Sequence, residues 1–156
     1  SYQGDGDLAA IGTAETIHAA NRGEAITVIF VNNQIYGMTG GQMAPTTLEG
    51  QRATSCPEGR NLATMGHPLR VAEMIAGLAA PLYVTRQSLH DPKHIAQATK
   101  AVEKALRYQV EKKGYSLVEL VSNCPTGWKM PPAKANEHIA TTVTKAFPLG
   151  DLVDRG

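Results

Sequence analysis

The chain has 156 residues, 42% hydrophobic and 19% charged, which is enough for one domain with a sizeable core. Its 15 basic and 14 acidic residues leave a formal charge of +1, excluding the basic field of a nucleic-acid binder and any solvated tail of like charge. No apolar stretch reaches the roughly 18 residues of a membrane span, and Ser1-Tyr2-Gln3 is unlike a signal peptide, so a soluble cytoplasmic protein acting on a small molecule or another protein is expected.

Only Ser1-Tyr2-Gln3 precedes Gly4-Asp5-Gly6, too little for a first strand of typical length, so the domain over residues 1–156 is expected to be incomplete at its amino terminus. Residues 8–22 place Leu8, Ile11, Ala14, Ile17 and Ala20 in near-helical rhythm and stop at Gly23. Ile26-Thr27-Val28-Ile29-Phe30-Val31 is a β-branched run suited to a strand buried on both faces, and Asn32-Asn33 ends it. From there to about His67 the chain is rich in Gly, Thr, Pro and Met without a steady period, the mark of a functional or interface loop.

Periodicity returns in residues 68–78, a helix with Pro68 in its first turn, followed by a strand at Leu82-Tyr83-Val84-Thr85. Asp91 as N-cap, Pro92 at the first position and Gly114 as stop predict a long amphipathic helix to about Lys113. Residues 115–121 read as a strand. Cys124-Pro125-Thr126-Gly127-Trp128 then leads to a last helix from Pro132 to about Ala146. The predicted class is α/β, a parallel sheet with helices on both faces and a site beyond the strand carboxyl ends.

Asp5 and Asn33 stand 28 residues apart, the length of one turn, one helix and one return strand, so both fall at that end of neighbouring strands. A carboxylate and an amide oxygen are hard ligands suited to Mg²⁺, which completes its octahedron with phosphate oxygens and water; the predicted task is to hold a diphosphate through a metal. Gly4-x-Gly6-x-x-Ala9 also fits a Rossmann dinucleotide fingerprint. That reading lacks the acidic residue expected at the end of the second strand, and Asp5 and Asp7 would repel a pyrophosphate with no cation between them. The bland alternative is a turn at Gly4 and Gly6, a helix cap at Asp7 and a strand end at Asn32-Asn33.

Gly4-Asp5-Gly6 followed by Asn32-Asn33 resembles the thiamine diphosphate motif. The resemblance implies Mg²⁺ ligation by Asp5, Asn33 and the backbone carbonyl of Ile35. The run Asn33-Gln34-Ile35-Tyr36-Gly37-Met38-Thr39-Gly40-Gly41-Gln42-Met43-Ala44-Pro45-Thr46-Thr47 is similar to the signature loop of the β subunit of 2-oxoacid:ferredoxin oxidoreductases. The Gly66-His67-Pro68 turn, the segment from Cys124 to Trp128 and Phe147-Pro148-Leu149-Gly150 are similar to members acting on 2-oxoisovalerate or 2-oxoglutarate.

The resemblance implies a thiamine-diphosphate-binding fold and a cofactor site built from Gly4, Asp5, Gly6, Asp7, Asn33, Ile35, Tyr36, Gly37, Met38, Thr39 and Gln42. Within it Gly37, Gly40 and Gly41 permit close backbone approach, Thr39 and Gln42 can donate to phosphate or substrate, and Met38 and Met43 are candidates for the pocket wall or for loop packing. The implied reaction is oxidative decarboxylation of a 2-oxoacid, with electrons passing through iron–sulfur clusters to ferredoxin and the acyl group to coenzyme A. The glutamate that drives cofactor activation belongs to an α (pyrimidine-domain) subunit, with γ and δ subunits as further partners, so the chain alone should be inactive. A non-catalytic thiamine diphosphate carrier is the alternative from another class.

Cys124 is similar in position to the fourth ligand of a [4Fe–4S] cluster in such subunits. The three amino-terminal cysteines are absent from this sequence, so no cluster is expected in this chain alone. Cys56 departs from the family pattern and is read as inert. His18 reads as a packed or surface residue and His67 as a turn former or a cofactor neighbour. His90, His94 and His138 are assigned no function.

Overall fold

The β-branched run and the two strands after the loop find each other in a sheet whose order is β1 (Tyr2–Gly4), β2 (Thr27–Asn32), β6 (Ser116–Val121), β5 (Tyr83–Ser88), β7 (Gly150–Asp154). The structure is a computed structural model and describes residues 1–156. β1, β2, β6 and β5 are parallel, with Asn32, Val121 and Ser88 level at the carboxyl edge. β6 is central and buried along its whole length, as its near-continuous apolar sequence requires.

Helices cover both faces. Leu117 points toward α1 (Thr13–Arg22) and α3 (Val71–Ala76), in a core with Leu8, Ala20, Phe30, Ala72 and Ile75. Val118 and Leu120 point the other way, onto Ala98, Ala101, Ala105 and Tyr108 of α4 (Pro92–Val110). α4 starts where its cap residue directs: the Asp91 carboxylate accepts from the His94 N–H at 2.8 Å, and Pro92 takes the first turn. At the end of α1, Gly23 adopts the left-handed conformation (φ 67°) and its N–H bonds Ala19 and Ala20 carbonyls, the predicted stop. No helix is long and apolar enough to cross a membrane.

Several boundaries differ from the sequence expectation. The three residues Tyr2–Gly4 do form a strand, because β2 offers them a ready edge. The helix expected over residues 8–22 begins as a π-helical turn at Asp7–Ile11, and Gly12 separates that turn from α1. Pro68 does not start a helix; Leu69 donates its N–H to the Pro45 carbonyl, tying this stretch to the loop, and α3 begins at Val71. The last predicted helix is α6 (Pro132–His138), a π-helical turn at Ile139–Val143 and a short α7 (Thr144–Ala146). β7 was not expected at all: its sequence is polar and short, and it pairs antiparallel on the free edge of β5, where the Tyr83 hydroxyl donates to Asp151 at 3.0 Å.

The loop holds a two-stranded ribbon of β3 (Ile35–Tyr36) and β4 (Gln42–Met43), then α2 (Leu62–Met65). α5 (Pro125–Trp128) follows β6. A third core, with Ile35, Leu48, Trp128, Ile139, Val143 and Phe147, joins the loop to the carboxyl-terminal helices.

One buried ion network crosses the α3 face. Arg86 on β5 lies opposite Glu119 on β6, its Nη2 2.9 Å from Glu119 Oε2, and it forks onto the Glu73 carboxylate of α3, with Nη1 at 2.9 Å from Oε1. Arg86 and Glu119 side chains are both fully buried. Removing one member of such a set strands a charge in a low dielectric. Arg86→Leu is therefore expected to lower stability by about 3–5 kcal/mol, read as a shifted urea midpoint at unchanged slope. Breaking the exposed Arg22–Glu24 pair with Arg22→Ala should leave the midpoint nearly unmoved.

Candidate active site: a buried carboxylate at the sheet edge

Asp5 follows β1 directly and is 3% exposed. Its Oδ2 accepts the Asn33 backbone N–H at 3.0 Å, and its Oδ1 accepts the Thr46 hydroxyl in a short bond. Burial pushes the carboxyl up to about 7 from an ordinary 3.8; the Thr46 and Asn33 bonds pull it down, and the like charge of Glu119 adds to the rise.

Asn33 and Ile35 complete an oxygen cluster. Asn33 Oδ1 accepts the Ile35 N–H at 3.3 Å, so its oxygen side faces the same space as the Ile35 carbonyl and Asp5 Oδ2. One atom of the Asn33 amide lies 2.7 Å from the Ile35 carbonyl oxygen and 3.0 Å from Asp5 Oδ2. With its nitrogen there the amide donates to both oxygens and closes the cluster; with its oxygen there three oxygens converge, and a cation between them relieves their repulsion. Mg²⁺ with bonds of about 2.0–2.1 Å at right angles would space neighbouring ligand oxygens about 3 Å apart. The all-oxygen donor set and its spacing fit such an ion.

The backbone around Asn33 is held from several sides. Asn32 donates to Glu119 Oε1 at 2.6 Å, and Gln34 Nε2 returns to the Asn32 carbonyl at 2.8 Å and its side-chain oxygen at 2.9 Å. Gln34 itself takes the left-handed conformation (φ 59°), reversing the chain out of β2. Thr47 donates to the Gln34 carbonyl at 2.6 Å, and Trp128 Nε1–H to the Asn33 carbonyl at 3.0 Å.

The other predicted residues spread around this centre. Gly4 and Gly6 flank Asp5 in the turn; the Gly4 N–H donates to the exposed Asp7 carboxylate at 3.3 Å, so Asp7 braces the turn and stands outside the oxygen cluster. Tyr36 lies against Gly6, and Gly37 against Cys124, where a Cβ would stand 3.1 Å from the sulfur. Thr39 donates to Gln42 Oε1 at 2.6 Å and Gln42 Nε2 to the Thr39 carbonyl at 2.9 Å, so their donors serve each other. Met38 is fully exposed and packs on nothing, whereas Met43 packs against the third core.

Cys124 sits between Gly37 and Gly127, partly exposed at the start of α5. Cys56 is buried, with its thiol toward the Gln51 carbonyl at 3.8 Å. His67 is exposed and contributes its backbone carbonyl to Arg60.

Arg60 escaped the sequence reading. It is 5% exposed and distributes its guanidinium among the Pro45 and Thr47 carbonyls at 2.7 Å each and those of Gly66, His67 and Met65 at 2.8–3.1 Å. It thereby ties both limbs of the loop together beneath Thr46. Thr46, Thr47 and Trp128 lie within the loop and Cys124–Trp128 motifs, but their roles rest on contacts with residues distant in the chain, which no local pattern records.

Residues 1–120 match the family described as thiamine pyrophosphate enzyme, C-terminal TPP binding domain, and the chain belongs to it. Thiamine pyrophosphate is thiamine diphosphate, so the dinucleotide alternative is set aside. Among similar proteins, the ketoisovalerate oxidoreductase subunit VorA of Methanothermobacter thermautotrophicus is 49% identical over 154 residues, covering 99% of this chain and 32% of VorA. The 2-oxoglutarate synthase subunit KorB of Archaeoglobus fulgidus is 37% identical over 138 residues, covering 88% of this chain and 47% of KorB. The chain thus spans a third to a half of these relatives. The fold is shared with a 2-oxoglutarate:ferredoxin oxidoreductase from Magnetococcus marinus, solved with 2-oxoglutarate, coenzyme A and succinyl-CoA bound: TM-score 0.68, 24% identity, 98% of this chain and 55% of that one.

The buried carboxyl has a pH signature. A folded value of about 7 against 3.8 unfolded means that Asp5 stabilises the metal-free fold below pH 4 and that this contribution is lost as pH rises through 7. In EDTA, thermal melts should show Asp5→Asn gaining on wild type between pH 5 and pH 8. An equal response of the two proteins over that interval would remove the burial argument.

Proposed function

We propose that this chain forms the diphosphate-binding part of the β subunit of a 2-oxoacid:ferredoxin oxidoreductase, and that Asp5 Oδ2, Asn33 Oδ1 and the Ile35 carbonyl hold Mg²⁺ on thiamine diphosphate. The convergence of the buried Asp5 carboxylate, the Asn33 amide and the Ile35 carbonyl carries the reading. The family match and the relatives named for ketoisovalerate and 2-oxoglutarate support the reaction class.

Each residue then has a physical task. Ionised Asp5 balances the metal charge, while Thr46 orients its second oxygen away from the ion. Trp128 and Thr47 hold the backbone on either side of the turn, so Asn33 and Ile35 keep facing Asp5. The ribbon from Tyr36 to Gln42 flanks the centre, and its Thr39 and Gln42 donors become available to phosphate if their mutual bonds open. Thiamine diphosphate held there would supply a thiazolium ring whose deprotonated carbon is a nucleophile toward a 2-oxo carbonyl and whose cationic nitrogen is a sink for the electron pair left by loss of carbon dioxide.

In the complete complex the α subunit supplies the pyrimidine side of the site, with γ and δ subunits as further components. Ferredoxin receives the electrons and coenzyme A the acyl group. A [4Fe–4S] cluster there would draw on Cys124 as one of four thiolates.

Calorimetric titration of thiamine diphosphate tests the reading. Binding should require Mg²⁺ and weaken at least ~100-fold in Asp5→Ala, in keeping with loss of a metal ligand rather than an outer-shell partner. Metal-independent binding, or unchanged affinity in that variant, would overturn it. Steady-state rates of the assembled complex on a panel of 2-oxoacids identify the substrate, with branched-chain or dicarboxylic 2-oxoacids expected to lead.

A further inference from the structure

Beyond β5, at the same edge of the sheet, His90, Asp91 and His94 gather three side chains that the diphosphate site does not use. Their donor atoms all lie within 4.8 Å of one another. Asp91 Oδ2 stands between the two imidazoles, 3.2 Å from His90 Nε2 and 2.8 Å from His94 Nδ1, and the rings are 4.2 Å apart. We propose that His90 Nε2, His94 Nδ1 and Asp91 Oδ2 form a second metal site, for a zinc-class transition-metal dication, with the fourth position open to water or a ligand.

The spacing suits such an ion. Bonds of about 2.0–2.1 Å in a tetrahedron separate ligand atoms by about 3.3 Å, so binding needs only small side-chain movements. The rear of the site is already fixed: buried Ser88 places its hydroxyl 2.7 Å from His90 Nδ1 and 3.5 Å from the Val121 carbonyl. With the hydroxyl proton turned toward Val121, Ser88 accepts the Nδ1 proton and leaves the Nε2 lone pair for the metal, the outer-shell arrangement typical of ligating histidines.

Asp91 divides its work. Oδ1 caps α4 by accepting the His94 N–H at 2.8 Å, while Oδ2 shares a hydrogen bond of 2.8 Å with His94 Nδ1; an ion would take the place of that proton, with His94 carrying its proton on Nε2 instead. The positive helix end would oppose a cation by itself, but the Asp91 carboxylate is already placed there. Side-chain exposure runs from 9% at His90 through 25% at His94 to 40% at Asp91, giving a closed back and an open front. Imidazole nitrogen selects zinc-class ions over Mg²⁺, so the two sites differ in chemistry as well as in place.

The test is titration of Co²⁺, with Zn²⁺ competition, into the metal-free full chain carrying Cys56→Ser and Cys124→Ser so that thiolates cannot contribute. One ion per chain is expected, with visible d–d bands. His94→Ala should weaken binding at least ~100-fold and Ser88→Ala about ten-fold. Asp91→Asn should also weaken it while keeping the cap, since asparagine caps helices equally well. Far-UV circular dichroism establishes that each variant is folded. Asp5→Asn should leave Co²⁺ affinity unchanged, which separates this site from the proposed Mg²⁺ site. Absence of saturable binding, binding that survives the His90→Ala/His94→Ala pair, or binding lost in Asp5→Asn would each overturn the proposal.

Discussion

Asp5 is 3% exposed, and the charge acting on it is the like charge of Glu119. A carboxylate in that position either takes up a proton or acquires a cation, and the Asn33 amide and the Ile35 carbonyl lie directly against it. Much of the surrounding architecture serves that constraint. The parallel pairing of β1 and β2 brings Asp5 beside Asn33 although a helix separates them in sequence. Thr46, from the far side of the loop, satisfies the carboxylate oxygen that faces away from Asn33 and Ile35.

Behind the site lies a second layer of buried polarity. Glu73, Arg86 and Glu119 lead across the sheet to Asn32, which Gln34 braces in turn. Buried ion pairs add little stability over a packed apolar core, but an unpaired member is costly. The network thus penalises any slip of β5 against β6. Arg60 performs a comparable service for the loop by satisfying carbonyls on both limbs, an arrangement a single lysine ammonium could not reproduce.

The elements legible in the sequence were those with a strong local signal. β2 and β6 are apolar runs, and α4 carries its own start in Asp91 and Pro92; it ends at Val110, short of the expected stop at Gly114, because the chain already turns at Lys112 (φ 53°). Asp5 and Asn33 could be paired from strand–helix–strand spacing alone. β7 was illegible because Gly-Asp-Leu-Val-Asp has no strand period of its own and becomes a strand only through the edge of β5. The π-helical turns at Asp7–Ile11 and Ile139–Val143 differ from α-helix by one residue in hydrogen-bond register, which an apolar pattern of that length does not resolve. The pair His90 and His94 looked unremarkable in sequence; Ser88 and Asp91 give them a common focus only once β5 and α4 meet at a sharp corner.

By itself the sequence determined the α/β layout and the meeting of Asp5 with Asn33 at the carboxyl edge of the sheet, since these follow from periodicity, caps and the geometry of a crossover. The tertiary structure alone decided that Asp5 is buried, that Thr46, Arg60 and Trp128 support the loop, and that Thr39 and Gln42 bond to each other. Those features depend on desolvation and on contacts between residues distant in the chain. Local patterning carries no record of either, because both arise only when separate elements exclude water between them.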